Sequence, residues 1–325
     1  MNEIKIFGLP GSTKFAERIC HFLDLPLSKI THQIFDDGEP YVKSDENVRN
    51  ADVYVISSLH LTEHSSPSEK FMKLLLFIGS LRDASAGTIN LVAPYLCYSR
   101  MDRKTLPREC IATKVSAKLL ESAGCNRIIT CDHHNLAAFQ NSFRINTDNL
   151  EARNLFAKHI ASSIDHNKPI TILSPDAGGL GRVQRFRNTF SNLLKKPIEL
   201  SHLDKSRMGN ELSGSRIIGD VKDKLVIIID DMISSGRTIK HCVDAVKNYG
   251  GEIWAVAATH GLFVGKTNEY LAGLNRIIIT DTVDRLYALD ETILKKIDIV
   301  STVEIFAKAI RRTNNGGSIS SLLKD

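Results

Sequence analysis

Two adjacent carboxylates, Asp230 and Asp231, close an apolar run in the stretch VIIIDDMISSGRTIKHCVDAV at 226–246. Ser234, Ser235, Gly236, Arg237 and Thr238 follow. A helical pattern then begins, with Ile239, Cys242, Val243 and Val246 on one face. Ligands of open α/β sheets bind beyond the carboxyl ends of strands, which is where such a pair of acids would lie. Backbone N–H groups at a loop entering a helix cradle anions, and hydroxyls from Ser234, Ser235 and Thr238 add donors. Gly236 can adopt a positive φ where the loop must turn. One end of this string therefore suits a phosphate, and the acids suit hydroxyls or a metal. A sugar phosphate carries both. The plainer reading of a strand ending in Asp-Asp is a polar turn with solvated or capping acids; the full string argues against it.

Positioning such a loop requires a buried strand and a helix behind it, and the rest of the chain repeats that arrangement. The runs EIKIFG, DVYVIS, INLVAPY, RIITCD, PITILS, LVIIID, EIWAVAA and RIIITD read as strands. Their nearly continuous apolar character suits parallel sheets covered on both faces. Helical patterns such as TKFAERICHFL and EKFMKLLLFIGSL separate them, the second with Phe71, Leu74, Leu75, Ile78 and Leu81 at helical spacing. This alternation predicts α/β units with right-handed crossovers. GCNRIITCD at 124–132 echoes GLNRIIITD at 273–281, each preceded by a helical stretch and an earlier strand. We therefore expect two related α/β domains in tandem, 1–147 and 148–325.

At 325 residues the chain is long enough for two such domains, and 42% hydrophobic with 24% charged residues is ordinary globular composition. A net charge of +5 without a basic block gives no reason to expect nucleic acid. The six cysteines show no C-x-x-C spacing and sit mostly in apolar runs, so reduced, buried thiols are expected rather than disulfides or a zinc site. The start MNEIKIFG reads as a short strand, not a secretory leader. The longest apolar run, Met72–Ile78, is broken by Lys73 and is too short for a bilayer. A cytoplasmic protein with no membrane partner is the expectation.

The 226–246 string resembles the phosphoribosyl-diphosphate motif of type I phosphoribosyltransferases and of ribose-phosphate pyrophosphokinases. Other segments resemble the pyrophosphokinases specifically: FDDGEPYVKSDENVRN, APYLCYSRMDRK, RIITCDHHN, ILSPDAGGLGR, LDKSR and IFAKAIRRTNNGGSISSLL. They run nearly end to end in the family's order. The resemblance implies two tandem type I phosphoribosyltransferase-like domains, each a largely parallel sheet flanked by helices. It also implies transfer of the diphosphoryl group of ATP to the C1 hydroxyl of ribose 5-phosphate, giving 5-phosphoribosyl 1-diphosphate and AMP, with magnesium (Mg2+).

Residue by residue, the resemblance implies that Asp230 and Asp231 hold the ribose hydroxyls. Ser234, Ser235, Gly236, Arg237 and Thr238 would cradle the 5-phosphate. Asp176 and His134 would serve the metal on the ribose and ATP sides, and Arg100 and Asp102 would contact ATP. Phe35, Asp37 and Glu39 resemble a hairpin that reaches the adenine of a neighbouring subunit, which implies a dimer-based homo-oligomer, up to a hexamer, with shared active sites. Lys205 and Arg207 resemble a cationic pair that closes over the transferring phosphates. Without the resemblance, Asp176 is a turn acid, His133-His134 a solvated pair, SRMDRK a charged loop and DKSRMGNELSGS a surface loop.

The chain also departs from the family pattern. Its phosphate loop reads Ser234-Ser235-Gly236-Arg237-Thr238 where the family usually has D-T-x-G-T, so an acid is lost and a cation gained. Met101 stands for Gln, Gln184 for Lys and Asn50 for Gly. Arg237 is expected to point outward at the helix start, because a cation there opposes the helix dipole. Two other readings stay open: a phosphoribosyltransferase that consumes phosphoribosyl diphosphate, and a non-catalytic paralogue that assembles with an active enzyme.

Overall fold

A computed structural model of the chain describes residues 3–205 and 215–323. The chain divides into two units, one made of residues up to Glu151 together with those from Thr302 onward, the other of Ala152–Ser301. The first unit runs β1 (Ile4–Gly8), α1 (Thr13–Leu23), β2 (Ile30–Ile34), β3 (Pro40–Ser44), β4 (Asp52–Ile56), α2 (Pro67–Asp83), β5 (Thr88–Ala93), α3 (Ala112–Ala123), β6 (Arg127–Cys131), α4 (Leu136–Ser142) and β7 (Asn146–Leu150). The second runs α5 (Arg153–Ala161), β8 (Ile170–Ser174), α6 (Leu180–Leu194), β9 (Glu199–Lys205), β10 (Ser215–Ile218), β11 (Leu225–Ile233), α7 (Arg237–Asn248), β12 (Glu252–Gly261), α8 (Thr267–Leu271), β13 (Ile277–Thr280), α9 (Glu291–Leu294) and β14 (Ile297–Val300). The last helix, α10 (Val303–Asn315), belongs to the first unit.

Local signals account for these elements. Ser66 caps α2 by accepting from the Glu69 N–H, the Glu69 side chain accepts from the Ser66 N–H, and Pro67 opens the helix. Strand β11 is apolar and almost wholly buried, as a central parallel strand must be. Helix α7 packs Ile239, Cys242, Val243 and Val246 against the sheet, the face read from their spacing.

The first unit holds a five-stranded parallel sheet, ordered β1-β4-β5-β6-β7, and a separate two-stranded sheet, β2-β3. The second holds seven strands, ordered β10-β9-β8-β11-β12-β13-β14, parallel apart from β10. The run β8-β11-β12-β13-β14 repeats the order of the first sheet. The echoed segments fall on β6 and β13, the fourth strand of each run, so the repetition seen in the sequence is a repetition of topology.

The domain limits differ from the expectation. A boundary at 147/148 would cut β7, whose Asp148 pairs with Arg127 of β6. Helix α10 leaves the expected C-terminal domain because its buried face, Val303, Phe306, Ala307, Ala309 and Ile310, finds its cover in the first unit. Phe306 meets Phe15 of α1 edge-to-face at 5.7 Å, Thr313 bonds the buried Tyr54 hydroxyl at 2.8 Å, and Asn314 donates to Asp52 at 2.7 Å. Among the cysteines, five are buried as expected and Cys110 is exposed. Among the described residues, no helix is long and apolar enough to cross a membrane.

Candidate active site

In the second unit the carboxyl ends of β8, β9 and β11 lie along one edge of the sheet, because the three strands run parallel. Strand β8 ends at Ser174, and Asp176 follows as an exposed residue whose Oδ1 accepts from the Gly179 N–H at 3.0 Å. Ser174 Oγ holds the turn by donating to the Asp176 carbonyl at 2.7 Å. Lys205 closes β9. Arg207 lies outside the described residues.

Strand β11 carries Asp230 and Asp231 near its end. Asp231 is only 2% exposed, and the Arg182 guanidinium of α6 reaches it at 3.1 Å and Asp230 at 3.6 Å. Asp230 Oδ1 also accepts the Asp231 N–H at 2.8 Å. Burial, then the neighbouring Asp231 carboxylate, push the Asp230 carboxyl well above the usual carboxylate range, against the pull of Arg182. One guanidinium thus serves two carboxylates, and the Asp230 side chain keeps 20% of its surface open. Such a pair can accept from, or share a proton with, the hydroxyls of a polyol.

The loop Ser234–Gly236 joins β11 to α7. Gly236 takes φ +81, and a Cβ there would sit 3.1 Å from Leu271 and 3.3 Å from the Tyr270 Cβ, so both the backbone and the packing call for glycine. Arg237 is exposed at the first position of α7, and its N–H reaches Ser235 Oγ at 3.4 Å. Thr238 is half-buried in the first turn. The loop, its glycine and the helix start thus follow one another as the sequence order leads one to expect.

In the first unit, the loop after β5 carries exposed Arg100 and half-buried Asp102. Asn135, the cap of α4, donates to Asp102 at 2.6 Å and accepts from the Ala138 N–H at 3.1 Å, which joins this loop to the one holding His134. The two histidines differ. His133 is buried, stacked on Phe139 at 4.6 Å, and its N–H donates to Asn149 at 2.8 Å, whereas His134 is exposed. Phe35, Asp37 and Glu39 occupy the turn of the β2-β3 hairpin. That turn is closed by Phe35 N–H to Glu39 carbonyl at 2.9 Å and Glu39 N–H to Asp37 Oδ1 at 3.1 Å. Phe35 is 46% exposed and Tyr41 is 36% exposed, so an aromatic tip stands free of the core.

Two residues of the site escaped the sequence reading. Arg182 is the arginine of ILSPDAGGLGR, six positions after Asp176, but nothing local shows that it turns back onto β11. Asn135 follows the histidines, and its bond to Asp102 spans 33 residues. The departure at Asn50 has a local reason: its φ is +58, a conformation that asparagine tolerates better than any residue except glycine.

A family model described as the N-terminal domain of ribose phosphate pyrophosphokinase matches residues 4–124. A second, the phosphoribosyl synthetase-associated domain, matches residues 202–324. The chain is 36% identical to a ribose-phosphate pyrophosphokinase of Fusobacterium nucleatum, covering 99% of this chain and 98% of that protein. It is 35% identical to the Campylobacter jejuni ribose-phosphate pyrophosphokinase, covering 99% of each. The crystal structure of phosphoribosylpyrophosphate synthetase from Mycobacterium smegmatis superposes with a TM-score of 0.87 at 27% identity, covering 97% of this chain and all of that one.

Proposed function

We propose, for a chain that belongs to the ribose-phosphate pyrophosphokinase family, that it transfers the diphosphoryl group of ATP to the C1 hydroxyl of ribose 5-phosphate. The C1 oxygen bonds to the β-phosphorus, the bond from that phosphorus to the AMP oxygen breaks, and the C1 hydroxyl gives up its proton. The observation that carries this reading is the Asp230-Asp231 pair, contacted by Arg182, on the strand that runs into the glycine-turned loop Ser234–Gly236. It offers acceptors for ribose hydroxyls and donors for a 5-phosphate on one strand end. A phosphoribosyltransferase would account for that strand end but not for the match of residues 4–124.

In this reading Asp230 and Asp231 orient the ribose, and Ser234, Ser235, Gly236, Arg237 and Thr238 hold the 5-phosphate. Arg100 and Asp102 bind ATP, with Asn135 fixing Asp102. Lys205 and Arg207 bring cations to the charge that grows on the departing AMP oxygen, the kind of preorganised electrostatic help on which phosphoryl transfer depends. Among the described residues no three His, Cys, Asp or Glu side chains gather into a metal cage. Mg2+ needs none: it keeps several waters and takes one or two protein ligands beside substrate phosphates. The exposed Asp176 carboxylate, with one oxygen already oriented by Gly179, fits that role, and His134 would serve at the ATP side. A divalent cation held there would neutralise charge on the diphosphate.

The free aromatic tip Phe35, with Asp37 and Glu39 beside it, supports adenine recognition from a second copy of the chain in a dimer-based homo-oligomer. Mixing Phe35→Ala/Asp37→Ala chains with Asp231→Ala chains should then restore activity that neither has alone; subunit exchange without recovery would sink the shared site. A cytoplasmic location suits these substrates. The main test is AMP formation from ATP, ribose 5-phosphate and Mg2+. Free ribose should be a very poor substrate, since the cradle would be left empty. Equal kcat/KM for ribose and ribose 5-phosphate, or no AMP at all, would refute the reading.

A further inference from the structure

We propose that Thr267 and Arg285 are positioning residues for the phosphate loop, setting the direction of its N–H groups from behind without touching the substrate. The inference rests on the loop 234–238 binding the 5-phosphate, and it names what aims that loop.

The segment after β12 grips the end of β11 by its carbonyls. The Ile233 carbonyl accepts the N–H groups of Leu262 at 2.9 Å and Phe263 at 3.2 Å, and the Ser234 carbonyl accepts the Val264 N–H at 3.0 Å. Thr267, only 2% exposed, adds its hydroxyl to the Ser234 carbonyl at 3.1 Å and shares that single proton with the Val264 carbonyl at 2.8 Å. A trans peptide is planar, with its C=O and N–H pointing opposite ways. Drawing the carbonyls of 233 and 234 toward the 262–267 segment therefore turns the N–H groups of Ser234 and Ser235 away from it. Successive N–H groups aimed to one side form an anion nest.

The gripping segment is itself under strain. Phe263 is buried at φ +41, a conformation that a bulky side chain rarely adopts. Arg285, 8% exposed, donates from Nη2 to the Phe263 carbonyl at 3.3 Å and so helps to hold that turn. Helix α8 completes the brace by packing Tyr270 and Leu271 against Gly236. A threonine hydroxyl on the Ser234 carbonyl and a buried guanidinium on the Phe263 carbonyl thus hold the loop backbone and the turn behind it.

The test uses the full chain with Thr267→Val, which keeps the shape and removes the proton, and Thr267→Ser, which restores it. Calorimetric Kd for ribose 5-phosphate, the KM values for both substrates and Tm are measured. Thr267→Val should weaken ribose 5-phosphate binding and raise its KM about 3- to 10-fold, the range one lost hydrogen bond supports. The KM for ATP should stay within about two-fold, and Thr267→Ser should return to wild-type values. Should Thr267→Val fail to fold, Arg285→Lys, whose shorter cation loses the Phe263 carbonyl, must show the same selective loss. Unchanged ribose 5-phosphate binding, or equal loss for both substrates tracking a lower Tm, would overturn the positioning role while leaving the proposed activity intact. A wild-type chain that binds no ribose 5-phosphate would overturn both.

Discussion

Asp230 is an acid that folding makes harder to ionise. Burial and Asp231 raise its pKa above the ordinary 3.8. Between that value and the raised one, the folded chain keeps a proton that the unfolded chain has released. Stability therefore falls as pH rises across this window and stays lower above it. Asp230→Asn removes the penalty. Its Tm should exceed that of the wild type at pH 8 and approach it at pH 4, while ribose 5-phosphate binding weakens. Melting curves that show no gain at pH 8 would refute the strained-acid account. Arg182 helps the pair survive: its guanidinium, 3.1 Å away, offsets part of the cost of burying the 2%-exposed Asp231 carboxylate. Lys205 makes a separate claim. If its ammonium acts only on the transition state, Lys205→Ala should lower kcat by roughly 10²–10³ while both KM values move little. An unaltered kcat would remove Lys205 from the chemistry.

At the scale of the element, the unit β11–loop–α7 works because its turn is shaped twice, by φ +81 at Gly236 and by α8 pressed against it. Gly236→Ala meets both obstacles. The alanine backbone is strained at that φ, at a cost of about 1–3 kcal/mol, and the new Cβ pushes on Leu271. We expect a lower denaturation midpoint together with a raised KM for ribose 5-phosphate, because relieving the strain must move the loop. A variant with the wild-type midpoint and KM would mean that the turn is not built as described. Arg237, the cation this loop carries in place of the family's usual residue, is exposed where α7 starts.

At the scale of the molecule, the first unit is completed by the end of the chain. Helix α10 brings Phe306, Arg311, Thr313 and Asn314 to α1 and β4 partners that lie about 260–290 positions earlier. Deleting residues 303–325 should therefore strip hydrogen-exchange protection from β1, β4 and α1 and leave β11, β12 and β13 protected. The reverse pattern would show that α10 serves the second unit instead. Burying Phe306 and Ile310 alone is worth about 3–6 kcal/mol, enough to decide whether a unit of this size holds.

The sequence by itself determined the class of fold, the tandem repetition and the local character of the candidate site. Apolar runs ending in Asp-Asp or Asp-His-His are local facts, and their strand and loop character follows from residue type and spacing. Lys205 stood out only through the family resemblance of LDKSR, because residue type and spacing alone describe a surface loop there. Tertiary structure alone decided which groups meet. Arg182 reaches Asp231 across 49 residues, Asn135 reaches Asp102 across 33, and Thr267 reaches the Ser234 carbonyl across 33. It likewise decided that His133 is a packing residue and His134 an exposed one, and that α10 leaves its sequence neighbours. The physical reason is the same in each case: spacing along a chain reports the face a residue occupies, whereas its partner is set by which faces the sheet order brings side by side.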